Sequence, residues 1–222
     1  MSQIFARLLC AAAIVLTGVS QTHASTTVID FNPVDLVGLY LPGENFAQGN
    51  YRMTAQLDFG TVDVAAALGA VAPSGNATQF YFNANSGSLR VVPIDAVPFS
   101  LNSFSAAFVP LDPPSLQTTV MVVKGTTVAD AEVVAWWAFT PSVTTSFPFT
   151  SLVAAPAFAN LKSAEFYACS LVGGLICTQP TLNNGQFAID NISVTAVPEP
   201  ATALLLTLGA FGLGLRARRS LR

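Results

Sequence analysis

The sequence predicts an all-β fold, a single antiparallel sandwich between two short apolar ends, and three observations predict it. Short runs of β-branched and aromatic residues recur about every 8 to 20 residues, the spacing of sandwich strands. Nine prolines between Pro73 and Pro156 interrupt any long helix. Of 222 residues, 52% are hydrophobic and only 9% charged, which excludes a disordered chain.

Residues 1–24 place Arg7 ahead of an apolar run from Leu8 to Val19, followed by Thr22-His23-Ala24. This is the n-, h- and c-region order of a secretory signal peptide, with cleavage expected after Ala24. The alternative, a membrane anchor, needs more length: about 12 apolar residues span only about 18 Å as a helix.

Residues 25–197 form the body, long enough for one core. Strands are expected over Thr26–Phe31, Tyr51–Phe59, Gln79–Phe82, Leu89–Ile94, Phe99–Pro110, Thr118–Lys124, Val133–Thr140, Ser146–Ser151, Leu161–Cys169 and Phe187–Ala196. Alternation is clearest from Ser100 to Phe108, where one face is buried and the other wet. Only Val62–Val71 reads as a short helix.

Residues 198–222 open with Pro198-Glu199-Pro200, continue through an uncharged run from Ala201 to Leu215, and end in Arg216, Arg218, Arg219 and Arg222. Such a run is a single transmembrane helix in pattern, and the arginines are the stop that keeps its end cytoplasmic. About 15 residues make only about 22 Å of helix, so the arginine stems must snorkel or the bilayer thin. The prolines hold Glu199 in extended backbone just outside the membrane.

This tail resembles the PEP-CTERM sorting signal of Gram-negative bacteria. The resemblance implies an exosortase as partner, a membrane protease-transpeptidase that cuts near the motif. It implies export across the inner membrane, a transient anchor there, and delivery to the cell surface or an extracellular polysaccharide matrix. A permanent single-span anchor is the alternative, since the helix suits both. The body from about Phe99 is similar to the jelly-roll ectodomains that such proteins carry, through Phe99–Phe104, Phe158–Phe166 and Phe187–Val194. In related carbohydrate-binding jelly rolls the first and last strands lie side by side, which implies that Asp30 and Asn32 approach Asp190.

Charge narrows the function classes. The body carries four basic against eleven acidic side chains, while the tail carries four arginines against Glu199. An acidic body has no footprint for nucleic acid. The one histidine, His23, leaves with the signal peptide, so the mature chain can build neither a histidine triad nor a zinc hydrolase site.

Four groups of residues are candidate sites. Cys169 and Cys177 remain after signal cleavage in a chain bound for an oxidising compartment, and a disulfide between them is expected; a free reactive thiol is the alternative. Asp190 shares a strand face with Ala188, away from the one holding Phe187, Ile189 and Asn191. It is the candidate ligand for calcium, the one cofactor the sequence raises, with Asp30 and Asn32 contributing further oxygens; the alternative is a carboxylate that solvates an edge. Trp136 and Trp137 are adjacent, so on a strand only one enters the core and the other is a candidate stacking platform for a sugar ring. Asp58 with Asp63, and Asp130 with Glu132, are close acid pairs, and both fall at turns or loops where solvated charge is expected.

The expectation is a non-catalytic surface or matrix protein that contacts carbohydrate. Its rivals are a glycan-active hydrolase or lyase and a protein-docking or spacer module.

Overall fold

A computed structural model describes residues 24–69, 72–109, 119–139, 147–170 and 185–197. Thirteen strands account for most of them: β1 (Thr26–Ile29), β2 (Gly38–Tyr40), β3 (Asn45–Gln48), β4 (Tyr51–Gln56), β5 (Gly60–Val64), β6 (Gln79–Asn83), β7 (Ser88–Pro93), β8 (Phe99–Phe108), β9 (Thr119–Thr127), β10 (Glu132–Phe139), β11 (Thr150–Val153), β12 (Leu161–Ser170) and β13 (Phe187–Ala196). All strand pairings are antiparallel.

The strands form two layers. One runs β3-β4-β7-β12-β9-β10 and the other β2-β5-β6-β13-β8-β11. A single pair, Leu161 opposite Phe99, joins them. β13 meets β6 through Phe187–Ile189 and β1 through Ile192–Thr195, with β8 along its other side. β1 and β6 therefore follow one another along the same edge of β13, and Asp190 and Asn191 stand at their joint.

Alternation decides what fills the space between the layers. Met53, Leu89, Val91, Met121, Val123 and Phe166 come from the first layer, and Val62, Tyr81, Phe104, Phe108, Phe187 and Ile189 from the second. In β8 the buried face changes parity between Leu101 and Phe104, and a register shift against β13 absorbs the change. One extra residue turns every later side chain over, so the bulge is what keeps Phe99, Leu101, Phe104 and Phe108 in one core. β13 bulges at the same level, where Asn191 adopts φ 52°.

Several expected boundaries move. Residues Val62–Val64 belong to β5, and the predicted helix shrinks to one turn, Ala65–Leu68, because Val62 is wanted in the core opposite Tyr81. The run expected from Tyr51 to Phe59 ends at Gln56, where Leu57 turns the chain with φ 67°. The last strand of the middle section lies at Thr150–Val153, four residues later than expected. β2, β3 and β5 were not expected as strands. Among the described residues no helix is long and apolar enough to cross a membrane. The expected signal peptide up to His23 and the tail from Pro198, with Glu199, Pro200 and the four arginines, lie outside the described residues.

Candidate functional site

The outer face of the first layer carries the exposed tryptophan. Among the described residues β10 pairs only with β9, and its alternation sends Trp137 inward and Trp136 outward, as adjacent residues on a strand must go. Trp137 sets its ring edge against Phe104 at 5.3 Å and 86°. Trp136 is 61% exposed. Register places Val122 beside Trp136 and Tyr167 beside Val122, so an apolar row crosses three strands. Val122 is buried with Val120 and Cys169, and Tyr167 packs against them.

The next row is charged. Val134, Lys124, Glu165, Arg90 and Thr54 follow one another from β10 across to β4. Lys124 Nζ meets Glu132 Oε2 at 2.8 Å, and the hydrogen bond to that carboxylate raises the Lys124 pKa. Ser88 Oγ donates to Glu165 Oε1 at 2.6 Å. Sequence reasoning singled out the tryptophans but missed Tyr167, Lys124, Glu165, Arg90 and Arg52, whose common face follows from strand order and register.

Asp190 lies on the outer side of the second layer. It faces away from the main core, as its parity with Ala188 predicts, yet it is 0% exposed because the segment carrying Asn76 and Thr78 covers it. Its Oδ2 accepts from Asn76 Nδ2 at 2.7 Å, Asn191 Nδ2 at 3.1 Å and Thr78 Oγ1 at 3.4 Å, and its Oδ1 accepts from the Asn191 amide at 2.7 Å. Burial pushes the carboxyl up to about 6, with the Asp30 charge adding to the rise and these hydrogen bonds opposing it. Asn191 does not share the inward face with Ile189, as simple alternation predicts; the bulge exposes it.

Asp30 follows Ile29, which pairs with Ile192, and so reaches the same joint. Asn32 turns back onto it, its amide on Oδ1 at 3.2 Å and Nδ2 on Oδ2 at 3.0 Å, and Gln48 Nε2 also donates to Oδ1. Burial raises the Asp30 pKa, but the donors from Gln48 and Asn32 outweigh it and the net shift is downward. Asn32 thus serves Asp30, and none of the described hydrogen bonds links it to Asp190. Asn76, Thr78, Gln48 and Asn191 complete the cluster. Asn76 and Thr78 form a local turn in which Asn76 Oδ1 accepts from the Thr78 amide at 2.8 Å.

The cluster brings together two carboxylates and four amide side chains. Among the described residues no group of three or more His, Cys, Asp or Glu side chains is assembled, so a metal here would rest on two carboxylates and neutral oxygens. Neither carboxylate has an ion-pair partner among the described residues. Four amide side chains, Asn32, Gln48, Asn76 and Asn191, donate N–H to these carboxylates, and a half-turn of each would present its oxygen instead. Gln79 stands two residues before Tyr81, the β6 partner of Ile189, and its Oε1 is buried without a hydrogen-bond partner.

The remaining candidates are local devices. Asp58 accepts from the Phe59 amide and from Asn85, and Asp63 from the Val64 amide. Asp130 pairs with Lys162, and Glu132 with Lys124. Cys169 is buried in β12; Cys177 lies outside the described residues.

Residues 196–219 match the PEP-CTERM protein-sorting motif, the tag of an exported exosortase substrate. Comparison with curated proteins gave no match. Among solved structures, the chain is similar to a family 11 carbohydrate-binding module from Clostridium thermocellum in complex with a β-1,3-1,4-mixed-linked tetrasaccharide, at 12% identity over 79% of this chain and 98% of that one, with a TM-score of 0.32. It is similar to the C-terminal family 22 carbohydrate-binding module of Clostridium thermocellum Xyn10B, at 13% identity over 74% and 96%, with a TM-score of 0.34. An agarase, AgWH50C, shares 10% identity over 78% of this chain and 25% of that one, with a TM-score of 0.29. At TM-scores this low the likenesses carry no argument, and function has to be read from this chain's own residues.

Proposed function

We propose that the protein is exported across the inner membrane of a Gram-negative bacterium, anchored there transiently by Ala201–Leu215, and delivered by an exosortase to the cell surface or extracellular matrix. There its sandwich contacts carbohydrate, such as exopolysaccharide, without catalysing a reaction. The observation that carries this reading is Trp136. An indole more than half exposed on the sheet face, with the partly exposed Tyr167 in the same row, offers apolar area to the CH face of a sugar ring. Hydrolysis would need a reachable acid and base, whereas Asp190, the one carboxyl among the described residues raised toward neutrality, is fully buried.

Tryptophan fluorescence of the exported protein, titrated with polysaccharide fragments, tests the reading. Binding that Trp136→Ala removes and Trp137→Phe retains supports it; binding indifferent to Trp136→Ala, or release of new reducing ends, overturns it.

The Asp30–Asp190 cluster favours a second, compatible role: a structural calcium that ties β1, β6 and β13 together, with Asp30, Asn32 and Asp190 among its ligands. Its support is two buried or half-buried carboxylates that have no ion-pair partner among the described residues. A disulfide between Cys169 and Cys177 would close the segment after β12, and peptide mapping under non-reducing conditions tests it.

A further inference from the structure

Three of the four cations in residues 25–197 lie on the Trp136 face. Arg52, Arg90 and Lys124 sit on β4, β7 and β9, all outward, while the fourth, Lys162, pairs with Asp130 elsewhere. In a body with eleven acids this concentration demands a reason.

Lys124 has Glu132, but the arginines are different. Both are exposed, and neither has a carboxylate within ion-pair distance among the described residues. They are diagonal neighbours, since Arg52 faces Val92 and Arg90 faces Thr54 across the β4–β7 ladder. Diagonal positions stand about 7 to 8 Å apart, so two like charges share one patch without an acid between them. Glu165, directly opposite Arg90, accepts from Ser88 instead.

Protection of a sheet edge, the usual structural use of exposed cations on strands, does not explain them. β7 is flanked by β4 and β12, and β4 by β3 and β7, so neither is an edge. A guanidinium presents a planar fork that matches a carboxylate or sulfate in two parallel bonds. From Arg90 to Trp136 is three strand spacings, about 14 Å, which an oligosaccharide covers and a single sugar does not.

We infer that this face takes an acidic polysaccharide, its carboxylate or sulfate groups on Arg52 and Arg90 and its rings on Trp136 and Tyr167. This deepens the carbohydrate-contact reading and rests on it. Binding should weaken with salt, because each neutralised anionic group adds a screened contact.

The test is affinity electrophoresis of the exported protein through gels holding polygalacturonate, its methyl-esterified form, or neutral mixed-linked β-glucan. The expected result is retardation by polygalacturonate that esterification reduces. The double variant Arg52→Gln, Arg90→Gln should weaken it about tenfold or more, the weight of one lost charge-assisted hydrogen bond. Arg→Lys at both positions should recover only part, since the charge returns without the fork, and thermal melts confirm that each variant is folded. Equal retardation by charged and neutral gels, or an equal loss on Lys162→Gln, overturns the acidic assignment; in the first case carbohydrate contact itself survives. Retardation by none of the gels removes both readings.

Discussion

Asp30 and Asp190 enter from opposite ends of the body and meet where β1 and β6 abut along β13, so that the charge of one helps to raise the pKa of the other. Their environments are opposed. Asp30 is held below the ordinary carboxylate range by Gln48 and Asn32, whereas burial carries Asp190 up to about 6.

That contrast predicts a pH-dependent stability that reverses with calcium. With a chelator present, the native state binds the Asp190 proton more tightly than the unfolded chain does between about pH 4 and pH 6. Stability conferred by this group is therefore full at the acid end of that window and is lost as pH rises through about 6. Asp30 acts in the other direction, its contribution falling away as pH drops below the ordinary carboxylate value. Thermal melts in chelator should accordingly show Tm highest near pH 4 to 5 and lower by several degrees at neutral pH. Calcium should restore the loss at neutral pH and do little once Asp190 is protonated, because it binds only the ionised ligands. Asp190→Asn should flatten the chelator profile and abolish the calcium shift. A calcium-independent profile would reduce the cluster to a hydrogen-bonded pin between strands.

The two tryptophans should separate stability from binding. Trp137→Ala removes a ring packed edge-on against Phe104 and partly buried in the core, at a cost of about 2 to 3 kcal/mol. Trp136→Ala exposes little that was not already wet and should change stability by about 0.5 kcal/mol or less. Urea unfolding of both variants checks the contrast, and equal losses would mean that Trp136 is covered in the mature protein.

These contrasts mark where the sequence is informative. The opposed directions of Trp136 and Trp137 follow from adjacency on a strand alone, and long alternating runs such as Phe99–Phe108 announce both strand and core. β2 and β3 gave no such signal, being three and four residues long and carrying Gly38, Asn45 and Gln48 in place of a β-branched pattern. The burial of Asp190 was illegible because its lid, Asn76, is 114 residues away and its placement depends on a bulge. Likewise the arginine pair emerges only when register sets β4 beside β7; in the chain Arg52 and Arg90 are separated by the whole β5–β6 pair.

Gly60 offers a test of the packing that positions β6. A Cβ built there would run into the ring and hydroxyl of Tyr81. Tyr81 is fully buried and its hydroxyl donates to Asn83 Oδ1 at 2.9 Å, so the ring has nowhere to retreat. Gly60→Ala should cost about 1 to 3 kcal/mol as overpacking and lower Tm by several degrees. Tyr81→Phe in the same background should not rescue it, because the ring itself remains in the way. Restored stability in that double variant would place the conflict at the hydroxyl alone.

Processing at the tail has its own prediction. Glu199 lies between Pro198 and Pro200, residue types that favour extended backbone without helical hydrogen bonds, the form a protease needs in its cleft. The apolar run Ala201–Leu215, if helical, would be short for a bilayer, which would leave the arginine cluster as its firm hold. Intact-mass measurement on protein recovered from the host surface should therefore find chains that begin at Ser25 and lack Ala201–Arg222. Glu199→Ala should leave full-tailed protein in the inner membrane, while neutralising Arg216, Arg218, Arg219 and Arg222 should let the tail slip through and escape cleavage at the membrane face. Surface protein that keeps its tail quantitatively in the wild type would make the helix a permanent anchor and the Pro-Glu-Pro segment a mere spacer.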